Sequence, residues 1–305
     1  MRTGRFIFLL GAFVALAAGI CFAQGWGGRR GFGGGGYRSG PIIQTEGGGV
    51  VNEDTVRTAR ETDEHSTGTP NWTNAPGFAK DVFTFARIAY KMNDRPASVM
   101  LGWVNDYPDG DLNLSFRLQQ LTSIKVDPDC RVLKLTSPDL CNYPFIFMAQ
   151  PGHMGLTEAE VPLLKKYLLS GGVLLVDDFW GTGEWESFEA EMKRVLPGRP
   201  WVELPMDHPI FHCVFDLKMP KNDLQVPTIH FWRPGSLTYR SEDTRGFHVR
   251  AWLDDKQRIM VLALHNTDTG DGWEREGESH EYFERFSEKI SYPLGINIIF
   301  YSMTH

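Results

Sequence analysis

Two adjacent carboxylates, Asp177 and Asp178, close an apolar run at residues 173–176 and are followed by Phe179, Trp180 and two nearby glycines. Acids at the end of a buried strand can bind a hard cation through oxygen, or one of them can act as a general base. Neighbouring residues on a strand point to opposite faces, so one aspartate must turn with the loop if both are to serve one pocket. The structural alternative is that one of them caps the next helix. Gly181-Thr182-Gly183 resembles half of a phosphate loop. Asp177, Asp178, Glu184 and Glu186 crowd that spot, so a phosphate would be repelled unless a metal intervened.

His153 lies in the loop after another apolar run, at the same expected sheet edge, and with Asp178 forms the candidate metal pair. No cofactor is required by any motif; a divalent metal is the one the acids would suit. Asp106, Asp109 and Asp111 share a polar loop that resembles a cation loop without the remaining ligands of a calcium pattern, and turn or cap chemistry is the better account of them. His208 stands in Asp-His-Pro, while His265, followed by Asp268, ends the apolar run 259–264, where a central strand would present it. Trp180, Trp185 and Trp273 could wall a pocket or cover the sheet edge. No GxSxG, HExxH, Walker loop or full GxGxxG is present, and no cysteine ends an expected central strand. Classical serine or cysteine nucleophiles are therefore without a residue.

The elements that must position these side chains centre on residues 143–185. The nearly uninterrupted apolar run 143–149 reads as a strand covered on both faces. Gln150-Pro151-Gly152 breaks it, and Thr157 with Glu160 has capping-box spacing at a helix start. Val161, Leu164 and Leu168 share a helical face; Gly171-Gly172 stops the helix and residues 173–176 form the second strand. Two strands joined through a helix are most simply parallel, and ligands of such sheets sit beyond the carboxyl ends of the strands. Residues 82–90 read as a further strand with Arg87 opposite Phe83 and Phe85 or at an edge, and 112–121 as a helix capped by Asp111. Helices are also expected at 185–195 and 282–301, the latter interrupted near Pro293. A hairpin is expected from 247–253 and 258–264, and a loop with one or two short strands over 222–241.

Arg2 and Arg5 precede an apolar run from Phe6 to Phe22, with small residues before a cleavage point after Ala23. Residues 1–23 thus read as a secretory signal peptide, with a retained membrane anchor as the alternative. Residues 24–76 begin glycine-rich and continue polar, and are expected to be a disordered linker; 77–305 are expected to hold a single α/β domain. The net charge of −7 and pI near 5.7, without a basic block, exclude nucleic acid as an expected partner. Export would permit a disulfide, for which Cys130 and Cys141 are the first pair to test.

Residues 83–90, 105–114, 171–180, His208-Pro-Ile-Phe211 and 292–297 together resemble the bacterial family called domain of unknown function 4159, over about 81–305. More distantly, the strand–helix–Gly-Gly–strand pattern and the later His-Pro-Ile are similar to class I glutamine amidotransferase-like domains. That resemblance implies a three-layer α/β/α flavodoxin-like fold with a mainly parallel sheet, though the amidotransferase cysteine has no counterpart. The family implies no established activity, and its members are often membrane-linked or exported. The expectation is an exported, non-catalytic domain. It would bind a small polar, carbohydrate-like ligand in a cleft around Asp106, Asp109, His153, Asp177, Asp178, Trp180, His208, His265 and Asp268, or join an envelope protein complex. The alternative is a hydrolase assisted by a metal or by Asp and His.

Overall fold

The computed structural model describes residues 38–39, 41–65, 68–78, 81–93 and 101–305; the leader-like residues 1–23 lie outside them. Strand β6 (Phe145–Ala149) is buried along its whole length, as is β7 (Val173–Asp177). The two pair in parallel, with Phe147 beside Leu175 and Ala149 beside Asp177. Between them runs α2 (Glu160–Leu169). Its start carries the expected capping box: Thr157 N donates to Glu160 at 2.8 Å, and Glu160 N donates back to Thr157 Oγ1 at 3.3 Å.

Around this unit the sheet has seven strands. β4 (Ala86–Ile88) pairs in parallel with both β5 (Arg131–Leu133) and β6; on the far side β7 pairs in parallel with β10 (Ile259–His265). The expected hairpin joins β9 (His248–Leu253) antiparallel to β10, and β8 (Trp201–Glu203) completes that edge. The order is β5-β4-β6-β7-β10-β9-β8, a mixed α/β arrangement with a mostly parallel sheet. Helices α1 (Asp109–Leu121), α4 (Thr269–Glu274) and α6 (Tyr292–Thr304) pack on one another, and α2 packs on α3 (Gly181–Val195). α5 (His280–Tyr282) leads through a π-helix, Phe283–Ser291, into α6, whose first turn holds Pro293, so the expected break is a change of helical pitch. No helix among the described residues is long and apolar enough to cross a membrane.

Three expectations need correction. Arg87 does not oppose Phe85: both share one strand face by period two, Phe85 packing on Phe147 and the Arg87 guanidinium lying 4.9 Å from the same ring. Asp111 is no cap; α1 begins two residues earlier, and Asp111 is instead buried against Arg87. Residues 222–241 carry no strand. The cysteine pairing, left open by the sequence, is decided for the thiols: Cys130, Cys141 and Cys213 are all free, Cys130 buried 3.2 Å from Ser115 Oγ and Cys141 exposed.

The largest departure is N-terminal. Residues 41–65, expected as linker, form an antiparallel hairpin, β2 (Ile42–Gln44) with β3 (Val50–Asn52); β1 (Arg38–Ser39) pairs with β2. Ile43, Val51, Val56 and Ala59 are buried in the common core. Arg60 fastens the segment by donating to the carbonyls of Pro128 and Thr69. Composition alone undervalued these few apolar residues, because each stabilises the segment only where a partner surface exists, by about 1.5–3 kcal/mol when fully covered.

Candidate functional site

The carboxyl ends of three parallel strands share one backbone feature. Gln150 follows β6, Asp178 follows β7 and Asn266 follows β10, and all three, with Asp106 from the loop after β4, adopt left-handed φ of 49–60°. Non-glycine residues in that region are strained by about 1–3 kcal/mol and gather where a rim is shaped for a task. Here the strain turns Asp178 out of strand alternation, as two adjacent aspartates require if they are to share surroundings.

The Asp178 carboxylate accepts from Trp180 Nε1 at 2.9 Å, Asn105 Nδ2 at 2.9 Å and Gln150 Nε2 at 3.0 Å. Burial nonetheless raises its pKa to about 7, opposed by the Trp180 hydrogen bond and assisted by the charge of Asp271. Asp177 is fully buried; its Oδ2 accepts from Gly270 N at 2.8 Å and its Oδ1 has no hydrogen-bond partner. Burial, then the neighbouring Asp178 charge, drives its pKa well up. Asp268 caps α4 through Asp271 N at 3.0 Å, so its role is structural at that oxygen, although burial and the charges of Asp178 and Asp271 also raise its pKa.

Beneath this rim lies an acidic centre that sequence reasoning missed in part. Asp106, Asp271 and Glu274 bring ligand-capable oxygens within 4.8 Å of one another, all three side chains buried. Asp106 Oδ1 accepts from Asn105, while its Oδ2 has no partner and points at Gly270. A β-carbon at Gly270 would sit 2.0 Å from that oxygen, so only glycine fits. Neither Glu274 oxygen accepts a hydrogen bond; Arg275 Nε lies 2.7 Å from Oε2 but out of line with it. Burial raises Glu274 to about 8 against the pull of Arg275, and burial with the charges of Glu274 and Asp271 raises Asp106 well above its ordinary value. Arg275 is divided among Glu274, Glu46, Glu278 and Asp271. His65, paired with Asp109 at 3.1 Å, is raised to about 10 by that bond and then by Glu278. Such a density of buried carboxyls either retains protons or accepts a multivalent cation; unpaired buried charge is too costly otherwise.

Asp106, Asp177, Asp178 and Asp268 lie close enough to raise one another's pKa values, and Asp109 approaches them beside His65 and Glu274; all five are buried. The three histidines do not join them. His265 ends β10 one residue out of phase with Asp177, as the pairing of Ala263 with Val176 shows, and so faces the α3 side of the sheet. There its Nε2–H donates to Gly181 O at 3.0 Å and its Nδ1 accepts from Arg250 at 3.2 Å, an assignment of the neutral tautomer set by the partners. Burial depresses its pKa to about 3, with no lone pair left for a metal. His208 packs on Tyr301 near the C-terminus, with its Nδ1 accepting from Ile210 N. His153 is buried beside Glu184, 3.5 Å from its Oε1, and is not among the clustered ligand groups. Asp178 is filled by three N–H donors, and His153 turns to Glu184 instead of to it.

Trp185 and Trp273 are core residues, packed under Arg250 and against Phe147, and offer no open stacking face. The half phosphate loop is closed from within: Gly181 N donates to Asn266, Thr182 N to Asp243 and Trp180 N to Glu184. A surface cleft of about 400 Å³, bordered by Met219, Leu237 and Phe286, contains none of these residues. The signal that could have exposed the missed ligands is the i, i+3 spacing of Asp271 and Glu274, which places both on one helix face once 269–274 is read as a helix. His65 carried no local signal.

No curated protein matches the chain. Residues 84–303, most of the described structure, match the family model described as Domain of unknown function (DUF4159), and the chain belongs to that family.

Proposed function

We propose that this domain binds a divalent cation in the buried centre formed by Asp106, Asp271 and Glu274, and that a small polar ligand reaches it from the rim at Asp178, Asn105 and Gln150. The observation that carries the reading is the unpartnered Asp106 Oδ2 aimed into a cluster whose Glu274 oxygens also accept no hydrogen bond. Three carboxylates suit hard cations of the magnesium, calcium or manganese type. The buried state of Trp185 and Trp273 removes the support for a carbohydrate stacking wall. The fold fits this use. Taken in chain order, the parallel strands β4, β5, β6, β7 and β10 run 2-1-3-4-5 across the sheet, with helices on both faces, which supports a three-layer flavodoxin-like arrangement. Its switch point lies between β4 and β6, beside Asp106 and Gln150. The leader-like residues 1–23 support an exported location.

The test is metal content of the purified full chain, followed by calorimetric titration of Mn²⁺ into chelator-stripped protein. One or more ions per chain, lost on Asp106→Asn or Glu274→Gln with the fold retained, is the expected result. Stripped protein that neither binds nor is stabilised by Mn²⁺, Mg²⁺ or Ca²⁺ would refute it. A second reading, metal-assisted hydrolysis, is favoured by one feature: the Asp178 carboxyl at the rim is held at a single orientation by three donors, as a base acting on a bound water must be.

A further inference from the structure

We infer that the centre has a second cation position, made by His65, Asp109 and Glu274, so that Glu274 bridges two ions. The inference rests on the cation-binding reading above and adds nuclearity and an imidazole ligand to it. Two observations carry it. His65 Nδ1 stands 3.1 Å from Asp109 Oδ2 and 3.8 Å from Glu274 Oε1, and the three ligand atoms lie within 4.8 Å of one another. Glu274, fully buried, belongs to both ligand groups, and its Oε1 accepts no hydrogen bond from the chain.

The donor sets differ in kind. Asp106, Asp271 and Glu274 offer oxygen alone, whereas the second position adds an imidazole nitrogen, which favours Mn²⁺, Co²⁺ or Zn²⁺ over Mg²⁺. A ligating histidine needs its other ring nitrogen tied to a carboxylate or carbonyl, and Glu278 Oε1 lies 3.4 Å from His65 Nε2. In the arrangement seen, Arg275 Nη1 donates to that same nitrogen at 2.8 Å, so Nδ1 carries the ring proton toward Asp109; a cation on Nδ1 would move that proton to Nε2, facing Glu278, with Arg275 turned onto Glu274 and Glu278. A carboxylate shared by two ions about 3.5–4 Å apart is the layout that clamps both oxygens of a displacement at phosphorus or carbon.

His65 also lies outside the residues that match the family, 84–303, on the N-terminal segment held by the β2–β3 hairpin. That segment would then complete the centre, with Glu46 of the hairpin bonded to Arg275 at 2.7 Å.

The experiment is equilibrium dialysis of stripped full-length protein against Mn²⁺, with electron paramagnetic resonance of the loaded samples. Expected are two ions per wild-type chain with a spin-coupled spectrum. His65→Gln and Asp109→Asn should each retain one ion with an uncoupled six-line spectrum, Asp106→Asn should lose the other, and Glu274→Gln should lose both. His65 is half-buried at the surface, so His65→Gln should fold; circular dichroism checks each variant. One ion in wild type, unchanged by His65→Gln, overturns the second position and leaves the proposed function standing. Two ions in both wild type and His65→Gln overturn the role of His65, and none in wild type overturns both proposals.

Discussion

Two buried arginines on the same side of the sheet deal with acids in opposite ways. Arg87 on β4 has one carboxylate partner: Nε donates to Asp111 at 2.9 Å, and Nη1 is finished by the carbonyls of Trp103 and Asn105 at 2.9 and 2.8 Å. Arg275, just past α4, is surrounded by Glu274, Asp271, Glu46 and Glu278, while Asp106, Asp177 and Asp268 stand close by without a direct ion pair among the described residues. The first arrangement balances charge and fills its hydrogen bonds, so it is a structural joint between β4 and α1. In the second, acid exceeds base in a dry interior, and a chain gains nothing structural from such an excess. The difference teaches where to look for a ligand: at the ionic cluster that its own residues leave incomplete.

The comparison can be broken most forcefully at the balanced site. Arg87→Met leaves Asp111 buried without a partner and should cost about 3–5 kcal/mol in urea unfolding, whereas Arg87→Met with Asp111→Leu should recover most of it. A small loss in the single variant would mean the joint is no joint. At the acidic centre the expected sign is reversed: Glu274→Gln replaces a buried carboxyl that burial pushes toward its protonated form, and should leave the stripped protein as stable as wild type or more so. In wild type, a cation at a hundredfold its dissociation constant should add about 2.7 kcal/mol, and Glu274→Gln should abolish that gain. Equal thermal shifts with Mn²⁺ in both proteins would erase the distinction drawn between the two arginines.

A smaller effect follows from pH. Glu274, raised to about 8 from 4.5, and Asp178, raised to about 7 from 3.8, hold protons in the folded state that the unfolded chain has released. Their stabilisation is full below the unfolded values and is lost as pH climbs through the folded ones. His265, depressed to about 3 from 6.5, has the opposite sign: its contribution is present above 6.5 and fades as pH falls toward 3. Between pH 6.5 and 8 the histidine is silent, so the melting temperature of stripped protein should fall with rising pH there. Saturating Mn²⁺ should flatten or invert that slope, since cation and proton compete for the same oxygens. A melting temperature that rises with pH across this window without metal would show that the carboxyls are already ionised and paired.

Much of the frame was legible beforehand. The unit β6–α2–β7, its capping box, the hairpin of β9 and β10, and the delivery of Asp177 and Asp178 to a parallel rim all follow from local period and turn residues. These are short-range properties, decided by which face of one element is apolar and which residues permit its ends. Everything that makes the acids a centre is long-range. Asp106 meets Glu274 across 168 positions of chain only because α1 and α4 pack together, and His65 arrives on a hairpin whose apolar residues had no visible partner surface. His265 and Asp177 were expected to share a pocket from their common strand-end position; a one-residue difference in register sent them to opposite faces. Residue types and periods therefore determine the elements and the edge where they end. Which charges are left unpaired there is a property of distances between elements, and those exist only once the chain has folded.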